Sequence, residues 1–236
     1  MSTAASPDPL PRALVALTAV TGIVDAVAFL GLGQIFTAFM TGNILFLGFA
    51  LAGGEGLAPL GSLTALAAFF TGAVAGSRLG AAWQTRPRRW VLGSAVVAAT
   101  LLVIGALCAI GLPSATGGPS PRHYAVIAST ALAMGVRSAT MWRLGSVLNT
   151  TLVTGTLVTL IRYSSLGGGT GAPNQGYRVA GLVAVLTGAA IGTLLLRVGI
   201  TAALLVAAAG VLAAMGGYAL RHAPRQVPPP TPAGAE

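Results

Sequence analysis

The stretch Phe39-Met40-Thr41-Gly42-Asn43-Ile44 places a threonine, a glycine and an asparagine in the middle of an apolar segment. Residues 22–44 match residues 135–157 at a constant offset of 113. The matched small and polar residues are Gly22 with Gly135, Thr37 with Thr150, Thr41 with Thr154, Gly42 with Gly155, and Asn43 with Thr156. Duplicated polar breaks of this kind are typical of membrane proteins that build a site near the bilayer midplane from two repeats.

A second pair of matching stretches, 71–76 and 187–192, repeats at an offset of 116. Each contains two glycines four residues apart, Gly72 with Gly76 and Gly188 with Gly192. Small residues at this spacing let membrane helices approach closely. We interpret these glycines as a symmetric packing seam between the two halves, without chemistry of their own.

The composition excludes a water-soluble domain. Hydrophobic residues make up 55% of the chain and charged residues 7%, with a mean hydropathy of +0.84. A soluble domain carries roughly a quarter charged residues. The formal net charge is +9, and the basic residues are arginines that lie, except for Arg137, near the ends of apolar segments. The lipid bilayer is therefore the expected partner, because the positive-inside rule and anionic headgroups explain this placement better than nucleic acid does.

Eight apolar segments are predicted, and the second and sixth are the shortest. They are residues 12–32, 35–52, 58–82, 90–112, 122–143, 146–164, 177–197 and 199–221. We predict a single membrane domain over 12–221, with repeats over about 12–112 and 122–221, between disordered tails at 1–11 and 222–236. A spanning helix needs about 20 apolar residues, which six of the segments meet comfortably.

The arginines distinguish between two topologies. If the two short segments dip into the bilayer and return to the same face, ten arginines share the face of the N-terminus and two lie opposite. If all eight segments span in a 4+4 repeat, the split is six against six. The positive-inside rule favours six transmembrane helices as a 3+3 inverted repeat with two re-entrant segments, with both termini cytoplasmic. The eight-span arrangement remains the alternative.

The re-entrant segments supply the predicted pathway residues. These are Thr37, Thr41, Gly42 and Asn43 in the first repeat, and Thr150, Thr154, Gly155 and Thr156 in the second. Backbone that turns inside a bilayer is tolerated only where protein or a water-filled cavity satisfies its polar groups. We expect the two tips to meet near the centre and line a polar constriction. In the competing interpretation, the same residues only pack ordinary spanning helices.

Two charged residues lie deep in apolar segments. Asp25 is near the middle of the first segment, and Arg137 matches Val24 at the offset of 113. A charge at this depth costs about 3 kcal/mol or more unless it is paired or hydrated. We hypothesise that Asp25 and Arg137 form an ion pair beside the pathway. A purely structural pair is an equal alternative, and a proton-coupled role for Asp25 is weaker.

The sequence offers no enzymatic, cofactor or metal site. It has four acidic residues, one cysteine (Cys108) and two histidines (His123 and His222) that are far apart in the chain. Catalytic dyads and metal centres need several such groups converging in one place.

A family resemblance adds to these inferences. The motifs Thr21-Gly22-Ile23-Val24-Asp25-Ala26 and Met40-Thr41-Gly42-Asn43, with the later Gly135-Val136-Arg137-Ser138-Ala139, resemble the YoaK family of bacterial membrane proteins. The likeness covers residues 12–221. The sequence departs from the family pattern at Phe39 and Arg137, where members commonly carry Asn and Gln. The resemblance implies a multi-span protein of the bacterial inner membrane.

The function expected from these features is that of a channel or secondary transporter for a small solute. If the N-termini of the half-helices face the centre, their dipoles together with Arg137 favour an anion or a polar neutral molecule. The contrasting interpretation is a non-transporting membrane scaffold or partner subunit, and a lipid-handling protein is a third.

Overall fold

The structure is a computed structural model that describes residues 10–54, 56–115, 119–144, 153–169 and 175–221. The elements, in chain order, are α1 (Leu10–Gly31), α2 (Met40–Leu51), α3 (Pro59–Ala82), α4 (Pro87–Cys108), α5 (Pro121–Arg143), α6 (Val153–Tyr163), a 3-10 turn (Ser165–Gly167), α7 (Gln175–Leu195), α8 (Ile200–Val211), a π-helical turn (Leu212–Gly216) and α9 (Gly217–Arg221). In these ranges all regular structure is helical, which confirms the predicted all-α class.

Among the described residues, five helices are long and apolar enough to cross a membrane: α1, α3, α4, α7 and the continuous stretch Ile200–Leu220. The chain is a multi-pass membrane protein. α5 has 23 residues, but polar side chains such as His123 and Arg137 interrupt its apolar character. It packs against α3 and α4, touches α1, and buries most of its side chains. Protein therefore surrounds α5, which is the setting in which polar residues at membrane depth are tolerated.

The ends of the long helices meet on two opposite faces of the bundle. On one face, the Gly31 carbonyl at the end of α1 accepts a hydrogen bond from the Ala115 N–H at 3.0 Å. On the same face, the Thr201 hydroxyl of α8 donates to a carbonyl near the end of α4 at 3.2 Å. On the other face, Arg88 at the start of α4 donates to the Leu220 carbonyl at 3.5 Å. α4 and the α8–α9 stretch therefore run in opposite directions.

Glycines bring two pairs of helices into backbone contact. A side-chain carbon at Gly72 of α3 would overlap the Leu132 carbonyl of α5, and one at Gly76 would lie 2.8 Å from the Val136 carbonyl oxygen. The equivalent contacts of α7 with α1 are Gly188 on Ala19 and Gly192 on Ile23. Contacts four residues apart on both partners mean that α3 runs parallel to α5, and α7 parallel to α1.

The facing helices contribute one glycine each to the same contacts. A side-chain carbon at Gly135 would overlap the Phe69 carbonyl, and one at Gly22 would overlap the Val185 carbonyl. Each contact of α3 with α5 thus has a counterpart between α7 and α1 at the offsets of 116 and 113 found in the sequence. Each half of the chain packs one of its long helices against the other half.

Two predicted boundaries need correction. α1 begins at Leu10, so Leu10 and Pro11 belong to the helix rather than to a tail, because proline is well tolerated in a first helical turn. α2 begins at Met40 rather than near residue 35, because the preceding backbone is held outside helical geometry by side chains described below. The predicted tail at 222–236 and the start of the sixth segment lie outside the described residues.

Gly72→Ala and Gly188→Ala are expected to lower the free energy of unfolding by about 1–3 kcal/mol each, because the new methyl group overlaps a backbone carbonyl. The measurement is thermal unfolding of the protein purified in detergent. Gly48→Ala in α2 is the matched control, since no atom lies within 4 Å of the carbon it adds. Equal unfolding midpoints for Gly72→Ala and Gly48→Ala would contradict the seam.

Candidate functional site

A buried carboxylate of α1 holds the backbone that leads into α2. Asp25 is 3% exposed, and its carboxylate accepts hydrogen bonds from the N–H groups of Thr37 (2.8 Å), Ala38 (2.8 Å) and Phe39 (3.1 Å). The Thr37 hydroxyl donates a fourth bond at 3.3 Å. N–H groups at a helix start lack intrahelical partners, and a negative charge there is favoured by the helix dipole. These N–H groups belong to Phe39, the N-cap residue of α2, and to the two residues before it. Asp25 therefore holds the backbone that enters α2 from a different helix, and this set of bonds is called the Asp25 cap below.

These bonds also fix the depth of the α2 start. Asp25 lies six residues before Gly31, which corresponds to about 9 Å along the α1 axis. The chain leaves α1, turns through left-handed backbone at Gly33 (φ 106°) and Gln34 (φ 58°), and comes back to Asp25. Non-helical backbone thus lies well inside the bundle, below the end of α1.

Asn43 closes the turn from the other side. Its Oδ1 accepts the N–H of Phe36 at 2.9 Å, and its Nδ2 donates to the Phe36 carbonyl at 2.6 Å. The Phe36 ring stacks on Phe29 and on Phe46, with centroid distances of 5.2 and 5.9 Å, and the three rings form one cluster. A side-chain carbon at Gly42 would lie 2.6 Å from the Phe36 ring, so glycine is needed there. The Thr-Gly-Asn corner of the sequence thus fastens the non-helical segment before α2 rather than forming a bend of its own.

Arg137 joins α5 to α1. The side chain is fully buried, and its two terminal nitrogens donate to the Leu17 carbonyl at 2.7 Å and to the Thr21 hydroxyl at 2.6 Å. The Thr21 hydroxyl donates in turn to the same Leu17 carbonyl at 2.9 Å. Among the described residues, Arg137 Nε has no hydrogen-bond partner.

The predicted ion pair therefore requires correction. Asp25 and Arg137 are both buried and are close enough to interact electrostatically. Within the described ranges, however, the carboxylate bonds to the backbone before α2 and the guanidinium bonds to α1. Backbone N–H groups before α2 bind the carboxylate, and the Leu17 carbonyl and the Thr21 hydroxyl of α1 bind the guanidinium.

The second short helix begins at the position that the duplication indicates. The described part of α6 runs from Val153, which is 113 residues after Met40, and Thr156 is buried as its counterpart Asn43 is. Thr154 and Gly155 are exposed, as Thr41 is. The predicted pathway residue Thr150 lies outside the described residues.

The two short helices do not meet. In the parts of the chain that the structure describes, α2 packs on α3, α6 packs on α7, and there is no contact between α2 and α6. Each short helix instead lies against the next long helix of its own half. The expected central constriction formed by the two tips is therefore not seen in these residues.

The sequence analysis did not predict three features. They are the bonds of Asp25 to the backbone before α2, the Leu17 and Thr21 acceptors of Arg137, and the buried Ser138 hydroxyl, which has no hydrogen-bond partner among the described residues. Thr21 lies one helical turn before Asp25, which is a usable signal for a shared polar face. Ser138 aligns with Asp25 at the offset of 113 and was open to recognition on that basis. The sequence gives no signal that the Leu17 carbonyl is an acceptor, because every residue has a backbone carbonyl.

Comparison with known proteins places these features in a family. Residues 13–217 match the profile of a family described as "Protein of unknown function (DUF1275)". The chain is also similar to the UPF0700 transmembrane protein YoaK of Bacillus subtilis (strain 168), with 35% identity over 150 residues. The matched stretch is 63% of this chain and spans 63% of the length of that relative. No solved structure gives a significant match.

Asp25→Ala is expected to lower the free energy of unfolding by at least about 3 kcal/mol, because three buried N–H groups lose their acceptor. Asp25→Asn should cost less, since the amide oxygen still accepts hydrogen bonds. Denaturation of the detergent-purified variants measures both. Thr18→Val is the control on the same helix, because Thr18 bonds only within α1 among the described residues. An Asp25→Ala variant as stable as Thr18→Val would refute the cap.

Proposed function

The chain belongs to the DUF1275 family. Because it is a multi-pass membrane protein, we propose that it is a channel or secondary transporter for a small solute. The profile match covers residues 13–217, and the similarity to a YoaK protein confirms the resemblance seen in the motifs. We place the protein in the bacterial inner membrane with both termini in the cytoplasm.

The observation that carries the proposal is the non-helical backbone between Phe36 and Phe39 at the depth of Asp25. Lipid cannot satisfy such backbone, so proteins keep it at membrane depth only inside protein or beside a water-filled cavity. Transporters commonly use broken or half-length helices of this kind to form a site near the midplane. The Thr41 side chain, exposed at the start of α2, is available to such a cavity.

The proposed architecture is a 3+3 inverted repeat with α2 and α6 as re-entrant segments. Its support is the recurrence of the α3–α5 contacts between α7 and α1, which run in parallel pairs. An odd number of spans in each half places the halves in opposite orientations. α1, α3 and α4 form the spans of the first half, and α5, α7 and α8–α9 those of the second.

A scaffold or partner subunit without transport is the second candidate. It is favoured by the bonding of Asp25, whose two carboxylate oxygens both accept hydrogen bonds from the backbone before α2. In this function the buried charges stabilise the fold and take no part in a pathway.

Cysteine accessibility tests the re-entrant topology. With Cys108 replaced by alanine, Gln34→Cys and Ala52→Cys are expected to react with a membrane-impermeant thiol reagent from the same side, because α2 returns to the face it left. Both positions are exposed in the structure. Labelling from opposite sides would show that α2 spans the membrane, and would support the eight-span arrangement.

Transport is tested with the purified chain in proteoliposomes, using a panel of small radiolabelled anions and polar neutral solutes. We expect flux of at least one solute above protein-free vesicles, and a loss of flux of about tenfold or more in Asp25→Asn. Gly176→Ala is the control, since Gly176 has open space around it. If no solute of the panel is transported, the scaffold function is favoured. If Asp25→Asn transports as fast as the wild type, Asp25 takes no part in the pathway.

A further inference from the structure

We propose that Asp25 is a proton-binding site, and that its protonation loosens the Asp25 cap and frees the backbone before α2. The inference rests on the transporter function proposed above and names the proton as its coupling ion. In the deprotonated state the cap holds the start of α2 in the position seen in the structure. In the protonated state the start of α2 is free to move.

The four bonds of the cap are divided unequally between the two carboxylate oxygens. Oδ1 accepts the N–H groups of Thr37 and Ala38, both at 2.8 Å, and the Thr37 hydroxyl at 3.3 Å. Among the described residues, Oδ2 accepts one bond, from the Phe39 N–H at 3.1 Å. A carboxylate oxygen has two lone pairs. Oδ2 therefore keeps a lone pair that a proton can occupy.

The donors of the two oxygens also differ in burial. Thr37 and Ala38, which bond to Oδ1, are 0% and 2% exposed. Phe39, which bonds to Oδ2, is half-buried, and Thr41, two residues further on, is exposed. The Oδ2 bond therefore lies on the more open side of the carboxylate, and Oδ2 is the oxygen to which the proton adds.

Protonation changes the whole cap. The proton leaves a hydronium ion as water and forms an O–H bond at Oδ2, which then presents a donor to the Phe39 N–H, itself a donor. The carboxyl group also loses its charge, and hydrogen bonds to a charged acceptor are roughly twice as strong as neutral ones. Because Phe39 is the N-cap residue of α2, the weakened bonds are those that hold the entry to this helix.

The position of Arg137 allows the carboxylate to become neutral. Arg137 interacts electrostatically with Asp25 from α5, but its terminal nitrogens donate to Leu17 and Thr21 of α1. A direct salt bridge would oppose protonation, because the proton would have to displace the guanidinium. Here the guanidinium is bound elsewhere, so it stays fixed to α1 whether Asp25 is charged or neutral.

The other titratable and charged side chains of α1 and of the helices that pack on it lie far from the level of Asp25. α2 and α8 contain none. In the other helices they lie in a first or last turn, whereas Asp25 lies six residues before the end of α1. They are Arg12 in α1, Arg122, His123, Tyr124 and Arg143 in α5, Tyr177 and Arg178 in α7, and Tyr218 and Arg221 in α9.

Hydrogen exchange of the full chain in detergent tests the switch. Mass spectrometry follows the amides of Thr37, Ala38 and Phe39 from about pH 8 to about pH 5, corrected by the exchange of the same peptide in the unfolded chain. We expect their protection to fall about tenfold or more as the pH falls, as for the loss of a hydrogen bond to a charged group. Constant protection over this range overturns the proposal.

The glycine seam between α3 and α5 is the internal control. Its contacts join backbone atoms, at Gly72 with Leu132 and at Gly76 with Val136, and involve no titratable group. We therefore expect protection there to stay constant while protection of residues 37–39 falls. A parallel loss of protection at the seam would mean that acid unfolds the bundle, and it overturns the proposal.

Two variants locate the proton. Asp25→Asn has the shape of the neutral carboxyl group and does not titrate, so residues 37–39 should be weakly protected at both ends of the pH range. Thr18→Val is the matched control and should keep the wild-type pH dependence, because Thr18 bonds only within α1 among the described residues. A wild-type pH profile in Asp25→Asn overturns the proposal. The wild-type profile decides the matter even where Asp25→Asn fails to fold.

Proton binding and transport fail in distinguishable ways when flux is measured in proteoliposomes under an imposed pH gradient. We expect flux of a transported solute to follow the gradient in the wild type and to ignore it in Asp25→Asn. pH-dependent protection of residues 37–39 without flux of any solute keeps the proton site and rejects transport. Wild-type flux that ignores the gradient keeps transport and rejects the proton as the coupling ion.

Discussion

A buried carboxylate that satisfies the backbone before a half-length helix is the interaction on which the rest of the structure depends. Lipid offers no hydrogen bonds, so a non-helical segment at the depth of Asp25 exists only because acceptors within the protein bind its N–H groups. Asp25 supplies them from α1, and Asn43 completes the turn at Phe36. Two polar side chains thus permit an otherwise apolar bundle to contain non-helical backbone.

The glycine seam makes this arrangement rigid. Because α3 lies backbone to backbone on α5, and α7 on α1, the long helices have little freedom to slide. Arg137 adds a hydrogen-bonded link between α5 and α1, the helices that carry the two buried charges. The polar groups of the candidate site are therefore held by close packing on one side and by a charged bridge on the other.

The sequence predicted the helical class, the two short helices and the glycine contacts' positions, because periodicity, length and small-residue spacing are local properties. It did not predict the partners of Asp25 and Arg137. The hypothesis of a direct pair considered only opposite charges, whereas the N–H groups before α2 bind Asp25, and a carbonyl and a hydroxyl of α1 bind Arg137. It also misplaced the start of α2, because Phe36 and Phe39 are apolar and resemble helix residues unless the cap is known.

The exchange of helices between the halves has a consequence for biogenesis. In the described residues, the face of α1 that contains Gly22 lies against α7, which the ribosome makes about 150 residues later. The first half therefore enters the bilayer with a bare, small-residue groove and completes its tertiary structure after nearly the whole polypeptide has been synthesised. Truncated products should accordingly be substrates for membrane proteases, even where every remaining helix has inserted.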